Sequence, residues 1–175
     1  MLRDEVEREG DGFDLLLVSG GASVGDYDFG KKLLDALGYQ IHFTQINLRP
    51  GKPLVFATRK KQAAFILPGN PVSHFVTLHV AVRLALETFS GAGESWPLAK
   101  IKLADNFEFR PDARETFWPG RTEIRDGELV VRALRWQSSG DVTGLTGANA
   151  LIRLAGDSPA PEAGKPVETL LLEVP

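Results

Sequence analysis

The sequence predicts an α/β fold: a partial doubly wound sheet domain followed by a small all-β, barrel-like C-terminal domain. Three observations carry this. Up to Ser90, short apolar runs alternate with helical patterns, the order that builds a parallel or mixed sheet flanked by helices. Gly91-Ala92-Gly93-Glu94-Ser95-Trp96-Pro97 then reads as a linker. Beyond it the helical period is lost, and short strand patterns separated by turn residues take over. The implied domains are residues 1–93 and 98–175.

Residues 1–9 have the pattern of a polar helix end, closed by Gly10. Phe13 to Val18 is a continuous apolar run, as expected of a strand buried on both faces. Asp28 can cap a helix with Phe29, Leu33, Leu34 and Leu37 on its inner face and Gly38 as its stop. Ile41, Phe43, Ile46 and Leu48 suggest an extended segment. Leu54 to Ala57 and Ala63 to Leu67 are two further strands, joined by a solvated basic tip, Arg59-Lys60-Lys61. Asn70-Pro71 is a strong helix start, with Asn as N-cap and Pro at the first helical position. That helix is expected to run to Ser90, with Val72, Phe75, Val76, His79, Val82, Leu86 and Phe89 turned inward. In the second domain, Ile101 to Leu103, Glu115 to Trp118, Glu128 to Leu134, Ala150 to Leu154 and Val167 to Val174 read as strands. Arg125-Asp126-Gly127 is a hairpin turn among them.

Composition narrows the function. The 175 residues are 43% hydrophobic and 25% charged, ordinary values for a globular chain. A net charge of -3 argues against a nucleic-acid binder working through bulk positive charge. With no cysteine, disulfides, zinc–thiolate sites and a cysteine nucleophile are excluded. No apolar run reaches the roughly 20 residues of a membrane span. The charged start is unlike a secretory signal, so a soluble, cytoplasmic protein without nucleic-acid or membrane partners is expected.

The functional signal is a trio of loops, each following an apolar run: Ser19-Gly20-Gly21-Ala22-Ser23-Val24-Gly25-Asp26-Tyr27-Asp28, Arg49-Pro50-Gly51-Lys52-Pro53 and Leu67-Pro68-Gly69-Asn70-Pro71-Val72-Ser73. Glycine lets the backbone approach a ligand closely, and N–H groups at a helix start attract anions. Together the loops point to a ligand bearing phosphate or another oxyanion. Asp26 and Asp28 could hold a divalent cation that bridges phosphate oxygens, or Asp28 could simply cap its helix. Arg49 and Lys52, in a turn stiffened by Pro50 and Pro53, form a credible anion grip, the alternative being a solvated basic turn. Gln137-Ser138-Ser139-Gly140-Asp141 is a polar cluster between strands. Its serines are not triad nucleophiles, since no histidine lies in the β domain. His42, His74 and His79 read as core or interface residues, and Trp118 and Trp136 as core or barrel-rim aromatics.

Taken in order, the three loops, Gln137-Ser138-Ser139-Gly140 and Gly147-Ala148-Asn149-Ala150-Leu151-Ile152 resemble the molybdopterin molybdenumtransferases, the molybdenum insertases that include the E domain of gephyrin. The resemblance covers nearly the whole chain. It implies the C-terminal part of an enzyme that takes adenylylated molybdopterin and molybdate to molybdenum cofactor and AMP with Mg(2+), and a homodimer. An alternative is a non-catalytic module that binds molybdopterin or a partner protein on the same scaffold. By similarity, Asp28, and less directly Asp26, belong beside the adenylate phosphates and the metal. Arg49, Lys52 and Pro53 match the motif that helps hold molybdate, and Ser138 or Ser139, with Arg114, would close that pocket. The remaining substrate-binding positions implied are Ser19, Gly20, Gly21, Ser23, Gly25, Pro68, Gly69 and Asn70. Three departures stand out: members of this family are longer at the N-terminal side, Gln45 and Arg49 replace a basic residue and a frequent lysine, and Trp118 stands where an arginine is common.

Overall fold

In a computed structural model, residues 2–9, 12–21, 29–92 and 98–172 are described. The chain divides into two compact units: Met1–Ile46 with Gly51–Glu94, and Asn47–Pro50 with Ser95–Pro175.

The first unit holds helices α1 (Leu2–Glu9), α2 (Phe29–Ala36), α3 (Pro71–Thr77) and α4 (Arg83–Phe89), and strands β1 (Leu15–Ser19), β2 (Gln40–Phe43), β4 (Val55–Arg59) and β5 (Gln62–Leu67). Its sheet runs β1-β5-β4-β2, with β1 parallel to β5 and the other pairs antiparallel. The mixed sheet follows from the four-residue hairpin signal around Lys60 and Lys61, which can only join antiparallel neighbours. Every residue of β5 is buried, and the side chains alternate between the two faces. Ala64 and Ile66 join Leu33, Leu34, Leu37 and Val55 in one cluster, while Phe65 and Leu67 join Leu54 and Val82 in another. Helices therefore cover both faces, and each fully buried aliphatic side chain stabilises the layers by about 1.5–3 kcal/mol.

Several expectations for this unit need correction. Strand β1 is not buried on both faces, since Leu17 is 43% exposed. Phe29 is 54% exposed and does not join the inner face of α2. Leu86 and Phe89 are 50% and 47% exposed. Between α3 and α4 the helix widens into a π turn, Leu78–Val82. The turn buries Val80 and Val82 and carries the following residues around the axis, so that no residue of α4 is fully buried. Arg59 is also no solvated tip: its guanidinium donates to Gln62 Oε1 and the Leu37 carbonyl, and lies 5.0 Å over the Tyr39 ring.

The second unit is built from β3 (Leu48–Arg49), β6 (Leu98–Leu103), β7 (Glu115–Arg125), β8 (Glu128–Ala133), β9 (Ala150–Leu154) and β10 (Pro166–Leu171). Five strands close into a barrel in the order β7-β8-β6-β10-β9, with β9 returning to β7. Strand β3 adds to it parallel to β7, placing Arg49 opposite Thr116. Phe117, Leu103, Leu151, Ile152 and Leu170 are fully buried, with Leu151 and Ile152, consecutive on β9, on opposite faces of its wall. Strand β7 is far longer than its sequence pattern suggests, because Pro119-Gly120 reads as a breaker. Pro119 sits just before pairing with β8 begins, and Gly120 is where the wall is tight: a Cβ there would lie 3.1 Å from both Ile152 and Val131. Asp126 and Gly127 both adopt positive φ, 53° and 81°, as a two-residue hairpin requires.

Candidate functional site

Parallel pairing of β1 and β5, with Ser19 opposite Leu67, brings the carboxyl ends of both strands to the same edge of the sheet. In open α/β sheets this is where ligands are held. The loops that leave these strands are tied together, since the Gly20 N–H donates to the Leu67 carbonyl at 3.0 Å. Gly20 and Gly21 take φ of 81° and 77°, which a side chain would oppose. A Cβ on Gly69 would lie 3.7 Å from the Gly20 α-carbon, so the two glycine turns are in contact. One ring nitrogen of His74, Nδ1, lies 3.3 Å from the Pro68 carbonyl and links the loop to α3. Asn70 takes the N-cap position through its backbone: φ and ψ are extended, and its carbonyl accepts from the His74 N–H at 2.8 Å. Its side chain makes no cap hydrogen bond, contrary to the sequence expectation. Ser19, Gly20, Gly21, Pro68, Gly69 and Asn70 thus form one place. Ser23, Gly25, Asp26 and Asp28 lie outside the described residues.

The proline turn divides between the units. Lys52 belongs to the α/β unit, where its side chain is exposed and its carbonyl accepts from the Ile46 and Leu54 N–H groups, each at 3.0 Å. Pro53 is half-buried beside it. Arg49 belongs to the β unit, ahead of a cis bond to Pro50. Its Nη1 lies 3.4 Å from the Arg110 carbonyl and 3.6 Å from Asp112 Oδ2, with the guanidinium 5.7 Å from the Trp136 ring centre. Asp112 in turn takes Arg114 in a two-pronged pair, Nε to Oδ1 at 2.8 Å and Nη2 to Oδ2 at 2.7 Å, and accepts the Arg114 backbone N–H at 2.9 Å. These Arg114 hydrogen bonds, then the charges of Arg114 and Arg49, hold the Asp112 carboxyl well below the usual carboxylate range. The side-chain hydrogen bonds to Asp112, and then its charge, push Arg114 upward.

Trp136 extends the chain of contacts, its indole N–H donating to the Ser138 carbonyl at 2.5 Å. Trp118 packs edge-on against Trp136 with ring centres 5.0 Å apart, and both indoles are buried, as their sequence reading expected. A cleft of about 410 Å³ opens beside them, lined by Phe107, Glu108, Leu134, Arg135 and Gln137 as well. Ser139 is half-buried in the following turn. The structure therefore gathers Arg49, Arg114 and Ser138 around two residues that sequence reasoning passed over, Asp112 and Trp136. The available signal was local: Asp112 and Arg114 stand two apart, the spacing at which an aspartate side chain accepts the backbone N–H two residues on.

No group of three or more histidine, aspartate or glutamate side chains converges among the described residues. They do not by themselves build a magnesium site, and the carboxylates expected to do so, Asp26 and Asp28, are not among them.

Residues 1–88 match the family described as "Probable molybdopterin binding domain", and residues 100–172 match "MoeA C-terminal region (domain IV)". The chain belongs to the molybdopterin molybdenumtransferase family. Relatives in that family include "Molybdenum cofactor synthesis protein cinnamon" of Drosophila melanogaster, 37% identical over 158 residues, which cover 87% of this chain and 26% of that protein. The "Molybdopterin molybdenumtransferase" of Nostoc sp. is 35% identical over 167 residues, covering 93% of this chain and 38% of that protein. A crystal structure of a molybdopterin biosynthesis moeA protein from Pyrococcus horikoshii superposes with a TM-score of 0.74 over 99% of this chain and 41% of that one, at 22% identity, which speaks to the fold. The chain thus spans 26% and 38% of the length of these two family members.

Proposed function

We propose that this chain serves molybdenum cofactor biosynthesis, as the C-terminal part of an enzyme that inserts molybdate into adenylylated molybdopterin and releases AMP. The single observation that carries the reading is the contact between two glycine turns at the carboxyl ends of neighbouring parallel strands, held by the Gly20–Leu67 hydrogen bond. Such turns present backbone N–H groups to phosphate oxygens without a side chain in the way. Ser19, Gly20, Gly21, Ser23, Gly25, Pro68, Gly69 and Asn70 would hold the adenylylated substrate, and Asp28 with Asp26 would hold magnesium beside its phosphates. Arg49, Lys52 and Pro53 would grip molybdate, with Ser138, Ser139 and Arg114 closing around it. None of these residues attacks covalently in this scheme; they orient the reactants and stabilise developing charge. The protein is read as a cytoplasmic homodimer.

Release of AMP from adenylylated molybdopterin, followed with and without molybdate and magnesium, tests the reading. Molybdate-dependent release supports it. Release indifferent to molybdate would point instead to a hydrolase. Tight binding without release supports a second reading, a non-catalytic molybdopterin-binding module, which is favoured by one observation: Asp112 already engages both arginines expected at the anion.

A further inference from the structure

We infer that Asp112 is an internal competitor for the oxyanion, weakly occupying Arg49 until the anion arrives, and that Arg114 is the residue that keeps this competition weak. The inference rests on the reading that Arg49 contacts the oxyanion. It departs from that reading in one respect, because it takes Arg114 out of direct contact with the ligand.

The two arginines hold the single Asp112 carboxylate unequally. Arg114 takes both Asp112 oxygens at 2.7 and 2.8 Å, and its backbone N–H adds a third short bond at 2.9 Å. A fork-on-fork pair of this kind is the strongest arrangement open to a guanidinium and a carboxylate. Arg49 receives what remains: one oxygen at 3.6 Å, one carbonyl at 3.4 Å, and the face of Trp136 at 5.7 Å. Each of these contacts lies at the long end of its range, and none uses the bidentate geometry that guanidinium offers. Two guanidinium charges against one carboxylate leave a net positive charge, and it resides on the less satisfied partner, Arg49. A doubly charged tetrahedral oxyanion can offer Arg49 two oxygens at once, so it displaces the single long contact to Asp112. Arg114 gains nothing by the same exchange.

The arrangement predicts effects of opposite sign from neighbouring residues. Asp112→Asn removes the competing charge and should tighten binding of inorganic molybdate about tenfold at low ionic strength, the scale of one charge near 4 Å at a protein surface. Arg114→Gln leaves Asp112 free to clasp Arg49 and should weaken binding by a similar factor. The double variant Asp112→Asn/Arg114→Gln should return to wild-type affinity or better, and Asp112→Glu should stay near wild type. Titration calorimetry with molybdate on the full 175-residue chain reads all four, and circular dichroism of each variant reports its fold. Unchanged or weaker binding in Asp112→Asn, or a double variant as weak as Arg114→Gln, overturns the inference. Arg49→Gln separates it from the underlying reading. If Arg49→Gln binds molybdate like wild type, the oxyanion role of Arg49 falls and the inference with it. If Arg49→Gln loses binding while Asp112→Asn gains none, only the inference falls.

Discussion

At the ends of β1 and β5 the chain offers backbone, whereas in the β unit it collects side chains. The first place is made by two glycine turns held through one main-chain hydrogen bond and fixed by the register of two buried strands. The second is made by two arginines, one aspartate and an indole, on segments as far apart in sequence as Arg49, Asp112 and Trp136. Both are suited to anions, but by different physics. A backbone cradle depends on the packing beneath it. An ionic cluster depends on charge balance, contributes little to folding, and responds to ionic strength.

That contrast can be strained from its strongest point to its weakest. Ile66→Ala, under the glycine turns, should cost about 2–5 kcal/mol of stability in urea unfolding, because the side chain is fully buried between sheet and α2. Gly30→Ala should cost about 1–3 kcal/mol by overpacking, since the new Cβ would lie 2.8 Å from Ile66 Cδ1. Pairing it with Ile66→Val should recover part of that loss, and additive losses would show that the clash is relieved elsewhere. Gly20→Ala, at φ of 81°, should cost about 1–2 kcal/mol and move the loop tied to Leu67. Arg114→Gln should cost under about 1 kcal/mol, its side chain being a third exposed, and the difference should shrink in added salt. A loss as large as that of Ile66→Ala would erase the distinction between the two places.

The smallest effect is a pH dependence at His79. Burial, and then the nearby Arg83 charge, lower its pKa from the ordinary value. The unfolded chain therefore binds this proton more readily. Stability is unaffected by His79 well above its unfolded pKa and declines as pH falls through that value, near 6.5. His79→Gln should flatten the decline in thermal unfolding between pH 7 and pH 5.5, and an unchanged slope would assign it to other groups.

Much of the fold was legible because its signals are local. Leu33, Leu34 and Leu37 repeat at helical spacing, Asp126-Gly127 marks a two-residue turn, and the continuous run through Leu67 marks a strand with no exposed face. The glycine turns were legible for the same reason. Where the reading failed, a distant partner had overruled a local rule. Leu86 and Phe89 lie outside because five residues of π turn alter the helix face. Strand β7 continues through Pro119-Gly120 because its pairing partners change there. Arg59 is held inside by Gln62, Leu37 and Tyr39.

By itself, the sequence determined the alternation of strands and helices, the change to a β domain, and the positions of the glycine-rich loops, since each depends on spacing or on a residue's own conformational range. Only the tertiary structure decided the partners. The closure of five strands into a barrel, the contact of Gly69 with Gly20, and the division of Asp112 between Arg114 and Arg49 all arise between residues separated along the chain, or from angles that composition does not carry. Charge and shape choose among such partners in three dimensions, and a linear pattern records the candidates without recording the choice.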